Sequence, residues 1–509
     1  MRLAELAATS ELVAATRSRR EKLDLLAGAL AGLDPGEARA GVAFLAGELR
    51  QGRIGVGWKL LADLPPQSAS AEPLTVADVD AAFERIAAVR GAGANAARRA
   101  ELETLFARAS DPERRFLIRL IGGELRQGAL EGLLVQALAA AVGAPADAVR
   151  RAVMLHGDVG PVAEAALADG PAALDRFRLE VGRPLRPMLA SPAAGVEDAM
   201  TRLGQAGAEW KLDGARIQIH RDGDDVRVFT RSLDDVTARV PELVEAALAL
   251  PARTLVLDGE AIALRADGRP QPFQVTAARF ASHRERTVPL SPFLFDVLHA
   301  DGEDVLDRPG AERAALLAEL VPEDRRIPRV AVADAAGAQA VLDEALARGH
   351  EGIMLKALDV PYAAGSRGAG WLKVKPVHTL DLVVLAAEWG HGRRQGWLSN
   401  LHLGARDPRT GGFVMLGKTF KGLTDAMLAW QTEHLLALET GRERHVVHVR
   451  PELVVEVAFD GIQTSPRYPG GVALRFARVV RHRPDKPATE ADTIEAVLAT
   501  RAGAAPEPR

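Results

Sequence analysis

The spacing of apolar residues changes twice along this chain, and each change dictates a different kind of fold. Up to about residue 180 the apolar positions recur at helical intervals in segments rich in Ala, Leu, Arg and Glu, as in Glu101-Leu102-Glu103-Thr104-Leu105-Phe106-Ala107. The stretch Arg183-Pro184-Leu185-Arg186-Pro187-Met188-Leu189-Ala190-Ser191-Pro192 ends that regime, because each proline removes an amide donor and disfavours helix in the residue before it. Short alternating runs follow. Ile217-Gln218-Ile219-His220 and Val226-Arg227-Val228-Phe229 flank Asp222-Gly223-Asp224, which predicts a hairpin. Further strands are predicted at 254–258, 292–296 and 352–356, with a helix at about 337–349 among them, so this part is a mixed α+β domain. After Pro376 the pattern is of short strands separated by turns, at 382–385, 412–416 and 453–457, as in a small barrel. The expected organisation is therefore multidomain: all-α at 1–182, α+β at 183–377, a β-barrel at 378–500 and a disordered tail at 501–509.

Within the helical part, Leu64-Pro65-Pro66-Gln67-Ser68-Ala69-Ser70 marks a break. The hexapeptide Gly-Glu-Leu-Arg-Gln-Gly stands on both sides of it, at 47–52 and at 123–128. Two readings are open. Either the same capping chemistry recurs by chance, or a helical lobe is duplicated and its turns present helix N-termini and an arginine (Arg50, Arg126) to phosphates.

Composition removes several classes of function. The chain has no cysteine, so disulfides, thiolate zinc sites and cysteine nucleophiles are excluded. Its apolar runs fall short of the roughly 18 residues of a membrane span. Met1-Arg2-Leu3-Ala4-Glu5 lacks the charged-then-apolar layout of a signal peptide, and a cytoplasmic location is expected. A formal net charge of −4 means that any surface for nucleic acid must be local.

The basic residues number 64, yet only nine are lysine. Arginine can hold phosphate but stays protonated, whereas a lysine can attack phosphorus. Five of the nine, Lys211, Lys356, Lys373, Lys375 and Lys418, lie in strand-like runs. Lys211 belongs to Glu209-Trp210-Lys211-Leu212-Asp213-Gly214-Ala215-Arg216. Behind this Lys-x-Asp-Gly come, in order, Arg231-Ser232, Asp258-Gly259-Glu260, Phe295-Asp296, Glu351-Gly352-Ile353-Met354-Leu355-Lys356 and Trp371-Leu372-Lys373-Val374-Lys375.

That ordered set resembles the covalent nucleotidyltransferases and, among them, the ATP-dependent DNA ligases. Arg475-Phe476-Ala477-Arg478 followed by Asp485-Lys486 is similar to their final motif, with Ala477 where a proline is common. The resemblance covers the whole chain and implies a helical DNA-binding domain, a nucleotidyltransferase (adenylation) domain and an oligonucleotide-binding (OB) barrel. It implies ATP as AMP donor, Mg²⁺ as cofactor, nicked duplex DNA as partner and a monomer. It makes Lys211 the nucleophile that becomes lysyl-AMP. Glu209 then meets the adenine, Phe295 stacks on it, and Arg216, Arg231 and Arg367 reach phosphate or ribose. Glu260 and Glu351 are carboxylates suited to Mg²⁺, and Lys373 and Lys375 contact the α-phosphate. With every ATP contact between Glu209 and Arg478, removing the helical region is expected to leave self-adenylylation intact.

Other readings of the same residues are less well matched. RNA ligases and capping enzymes share the Lys-x-Asp-Gly core but would not need the helical region. An NAD-dependent DNA ligase carries a cysteine-ligated zinc element, and a binding protein with a dead site would not keep Lys211, Glu260, Glu351 and Lys373 together. A P-loop NTPase would use Lys418, since Gly412-Phe413-Val414-Met415-Leu416-Gly417-Lys418-Thr419 fits the P-loop pattern. That match is expected to be accidental, because a turn precedes it and its interior reads as a strand. Lys418, Lys421 and the loop Gly390-His391-Gly392-Arg393-Arg394 are expected on a nucleic-acid backbone. The twelve histidines, His220, His283 and His350 among them, show no metal-ligand spacing.

Overall fold

A computed structural model describes residues 1–62, 64, 72–125, 127, 131–281, 288–363 and 370–500. Arg126, His283, Arg367 with its Gly-rich run, and the tail 501–509 lie outside the described residues.

Among the described residues, ten α-helices, from Leu3–Ala15 to Val159–Asp169, build the first part. Their starts are written locally. In Val76–Ala88 the Thr75 side chain accepts from the Asp78 amide while Asp78 accepts from the Thr75 amide, and Val76, Val79, Phe83 and Ile86 line the buried face. The helices close on one apolar core, with Phe44 and Phe83 packed edge to face at 5.8 Å. The two hexapeptide turns meet there. A Cβ on Gly47 would sit 3.0 Å from the Leu125 carbonyl oxygen. Arg50 does not face outward with its fork open: it donates to Asp80 at 2.7 and 3.2 Å and also to Glu84. No helix among the described residues is long and apolar enough to cross a membrane.

Ten strands among the described residues form the central part. In chain order they are β1 (Ser191–Pro192), β2 (Ala206–Lys211), β3 (Ala215–Asp222), β4 (Asp225–Thr230) and β5 (Thr254–Ala263). Then come β6 (Leu290–Ala300), β7 (Glu303–Asp304), β8 (Arg329–Val332), β9 (Gly352–Ala357) and β10 (Trp371–Val374). They make two five-stranded sheets, β1-β10-β9-β2-β8 and β4-β3-β5-β6-β7. The hairpin at Gly223 is present, and the predicted helix at 337–349 runs Ala335–Ala347. One apolar cluster joins the two sheets: Val256, Phe295 and Leu298 from the second meet Trp371 from the first. Met154 and Leu155, at the end of the helix Ala146–His156, belong to the same cluster.

In the last part β11 (His378–Trp389), β12 (Leu398–Arg406), β13 (Phe413–Thr419), β14 (Glu439–Glu443), β15 (Val446–Val449) and β16 (Val454–Phe459) precede a hairpin of β17 (Gly461–Thr464) and β18 (Val472–Arg475). With β19 (Arg478–His482) the others form a seven-stranded sheet centred on β11, which pairs with β12, β15 and β16. No strand pairing among the described residues closes the expected barrel by joining β13 or β14 to β19, although just past β13 the Lys421 carbonyl accepts from the Val479 amide of β19 at 2.9 Å. The P-loop match falls on β13, an extended strand paired along β12, and a strand cannot wrap a phosphate.

Candidate active site

Lys211 ends β2, where the chain must turn sharply into β3. Gly214 permits the turn, since a Cβ there would lie 2.3 Å from Ile262 Cγ2 and 2.5 Å from the Ala261 carbonyl oxygen. Lys211 pairs with Gly352 across to β9, so Glu351 lies beside it, and the Glu351 amide donates to the Lys211 carbonyl at 3.1 Å. The ammonium of Lys211 donates to the Glu351 carboxylate, which also holds Lys375 at 2.9 Å. Burial raises the proton affinity of Glu351, but Lys211 and Lys375 together outweigh it and hold the acid at about 2.

These groups line a cavity of about 660 Å³ between the two sheets. On its first sheet, cross-strand pairing aligns Glu209 with Met354 and Met354 with Lys373, and Lys356 with Trp371. Side chains opposite one another in a sheet share a face, so Glu209, Met354, Lys356, Trp371 and Lys373 all front the cavity. Glu209 is 2% exposed, and its carboxylate is held by Lys356 at 2.6 Å and by Arg329. Lys356 is buried against the Phe295 and Trp371 rings, 4.2 and 4.3 Å from their centroids. Burial lowers its pKa to about 8 against the pull of Glu209.

Arg216 is placed differently from the sequence expectation. Its Nε donates to Asp258 at 2.6 Å and its Nη2 to the other oxygen, while its guanidinium stacks 4.6 Å from the Phe295 centroid. Asp258 also accepts from the Tyr362 hydroxyl at 2.6 Å. The fork of Arg216 is thus closed by protein, leaving Nη1 as the donor without a protein acceptor among the described residues. Glu260 faces Arg216 across β3 and β5. Burial pushes its carboxyl up to about 7 although Arg216 and Lys211 pull the other way, and Asp258 and Asp213 add to the rise. Arg231 is exposed at the rim with Thr230 and Ser232.

The last part of the chain supplies one wall. Arg475 grips Asp213, and Asp460 lies 3.5 Å from Lys375. Phe476 lines the opening in a left-handed conformation, φ 56°. Asp485 and Lys486, the rest of that motif, stay outside it: Lys486 binds Asp381 at 2.8 Å and Asp485 binds Arg483. Lys418 is also elsewhere, on Glu388, which His402 and Asn400 share. That closed pairing leaves little of Lys418 for a nucleic-acid backbone.

The structure therefore brings together Glu209, Lys211, Arg216, Arg231, Glu260, Phe295, Glu351, Lys373 and Lys375. Sequence reasoning passed over Arg329, Tyr362 and Asp460, and it named Asp258 in its motif without giving it a role. The first three stand in no recognisable motif, since each acts by holding a residue from another strand or loop. For a divalent cation the protein offers carboxylates only in part. No group of three or more acidic or histidine side chains fit for a metal occurs among the described residues. Glu260 and Glu351 do face the cavity, and hard oxygen donors of this kind suit Mg²⁺ when phosphate and water complete its shell.

Comparison with known proteins agrees with this arrangement. Residues 187–375 match the family described as ATP dependent DNA ligase domain. Residues 394–486 match the ATP dependent DNA ligase C terminal region, and residues 63–139 match DNA ligase N terminus. A protein of Anaeromyxobacter sp. (strain Fw109-5) named "Probable DNA ligase" is 61% identical over 511 residues, spanning 99% of this chain and 98% of its own. A "Probable DNA ligase" of Saccharopolyspora erythraea is 58% identical over 499 residues, spanning 98% of each chain. The solved structure titled "Pmar-Lig_PreS3" superposes with a TM-score of 0.61 at 18% identity, over 94% of this chain and 99% of its own, which is a likeness of fold.

Proposed function

The chain belongs to the ATP-dependent DNA ligase family, and we propose that it seals nicks in duplex DNA through a Lys211-AMP intermediate and a DNA-adenylate. The observation that carries this reading is the pairing of Lys211 with Glu351 and Lys375 at the floor of the cavity.

In the first step Lys211 Nζ, having given one proton to solvent, attacks the α-phosphorus of ATP and releases a second proton to solvent or to the departing pyrophosphate. The N–P bond forms as the bond to pyrophosphate breaks. The charge of Lys211 disappears in this step, and Lys375 remains as the counter-ion of Glu351, so the carboxylate is not left unpaired. Lys373 and Lys375 face the phosphate whose charge grows, and fixed cations in a site closed to water stabilise such charge strongly. The AMP then passes to a DNA 5′-phosphate, and the 3′-hydroxyl displaces it with release of AMP. All three attacks are in line at phosphorus, so positioning and charge neutralisation do most of the work. When Mg²⁺ binds, it neutralises the phosphates, and Glu260 and Glu351 are the carboxylates placed to hold it. Glu209 and Phe295 form the base subsite in this reading. Segments 1–182, 183–377 and 378–500 serve as DNA-binding, adenylation and OB-type domains.

Incubation with α-labelled ATP followed by mapping of the modified residue tests the proposal. Label on Lys211, lost in Lys211→Arg and retained in Lys418→Ala, is the expected result. Label that survives Lys211→Arg overturns it.

A further inference from the structure

Glu209 is buried, and two cations from different strands hold its carboxylate. Arg329, on the edge strand β8, lies directly opposite it in the antiparallel register. Its Nε donates to Oε1 at 2.7 Å, and its Nη2 lies 2.5 Å from the same oxygen. Lys356, on β9, donates to Oε2 at 2.6 Å. A carboxylate has about four acceptor positions. Arg329 crowds Oε1 and Lys356 takes one position on Oε2, so Oε2 is the oxygen left to accept an N–H from a ligand, and a carboxylate has no proton to offer in return.

The path of Arg329 is prepared by its neighbours. Gly207 lies two residues before Glu209 on the same face of β2. A Cβ there would lie 3.2 Å from Arg329 Cδ and 3.4 Å from Cγ, so the missing side chain is the space that the arginine stem occupies. Arg329 does not line the cavity itself, whereas Glu209 does.

We propose that Arg329 is a positioning residue for base selection: with Lys356 it fixes the Glu209 carboxylate as a pure acceptor, so that the pocket takes a purine with a 6-amino group and rejects one with a 6-oxo group. The inference rests on the reading of Glu209 and Phe295 as the base subsite. With Arg329 gone, Oε1 loses its donor and its counter-charge, and the carboxylate turns about its remaining tie to Lys356. The cost falls on nucleotide binding, because Lys211, Glu351 and Lys375 are untouched. A site built to accept a hydrogen bond from its substrate rejects the analogue that lacks the donor far more strongly than shape alone could.

The test uses the full chain and compares self-labelling with ATP and with inosine triphosphate, which carries oxygen in place of the 6-amino group. Wild type should favour ATP by about a hundredfold or more in kcat/KM. Arg329→Gln should raise the KM for ATP, leave kcat within about twofold, and cut the preference by roughly tenfold. Arg329→Lys, with one charged donor group, should fall between the two. Gly207→Val keeps the arginine but occupies the space of its stem, and should shift the preference the same way. Should wild type show no preference for ATP, the base-subsite reading fails. A wild-type preference that persists unchanged in both Arg329→Gln and Gly207→Val overturns the role of Arg329.

Discussion

Asp213 and Arg475, 262 residues apart, are joined by two hydrogen bonds, at 2.6 and 3.2 Å. The link ties the turn after Lys211 to β18, and it fixes an acid that adds to the proton affinity of Glu260. Arg475→Ala removes the wall and leaves Asp213 unpaired beside the cavity. The rate of AMP transfer to Lys211 should fall at least tenfold, which is about 1.4 kcal/mol in the barrier. Exchanging the pair, Asp213→Arg with Arg475→Asp, should restore more activity than either change alone leaves. An unaltered labelling rate in Arg475→Ala would show that this contact plays no part in the first step.

Glu260 makes stability depend on pH in a definite direction. Its folded pKa, about 7, stands above the ordinary value of 4.5, so between those values the folded chain holds a proton that the unfolded chain has released. Stability from this group is therefore full below about pH 4.5 and declines as pH rises to about 7, by on the order of 3 kcal/mol. Glu351 behaves oppositely and in another window, since its depressed pKa adds stability that is lost only as pH falls from 4.5 towards 2. His350, lowered to about 4 by burial, also titrates inside the Glu260 window, so the comparison must be between variants. The difference in Tm between Glu260→Gln and wild type, without nucleotide, should move in favour of the variant from pH 4.5 to 7. A constant difference across that range would contradict the raised pKa.

The sequence carried the motif residues but not what holds them. Lys211, Glu351, Lys373 and Lys375 could be picked out because a nucleophile and its cations were scarce lysines on short strands. The closing of Arg216 on Asp258 and Tyr362 was not legible, because each contact joins residues from different strands or loops. The hairpin at Gly223 and the strand nature of Phe413–Thr419 followed from local alternation, which depends only on the residues themselves. The barrel expectation ran past that limit: strand number and spacing say little about which edges pair, and the strand pairings among the described residues do not close it. Arg50 shows the same limit in the helical part, where Asp80 and Glu84 lie on a helix well beyond its own turn.

The packing argues against the expected independence of adenylylation from the helical region. Met154 and Leu155 share a cluster with Phe295 and Trp371 in the cavity wall, and Arg151 binds Asp307 at 2.5 and 2.6 Å. Leu233 holds a left-handed backbone, φ 70°, and packs on the C-terminal end of the helix Ala146–His156, where a Cβ on Gly157 would lie 3.1 Å from its Cδ1. A non-glycine residue keeps such a conformation only when its surroundings fix it. The segment it anchors, Thr230 to Ser232, forms the cavity rim with Arg231. Removing residues 1–182 would expose the Met154 and Leu155 contacts, worth roughly 2 kcal/mol for each buried side chain, and release the rim. Labelling by the truncated chain should then require severalfold more ATP. Leu233→Gly in the full chain is the cleaner test, because glycine relieves the backbone strain while deleting the packing. It should fold with near-normal Tm and raise the KM for ATP severalfold. The salt dependence of DNA binding, set by phosphate contacts, should stay as it was. A wild-type KM for ATP in both the truncated chain and Leu233→Gly would mean that the helical region grips DNA and leaves the nucleotide pocket alone.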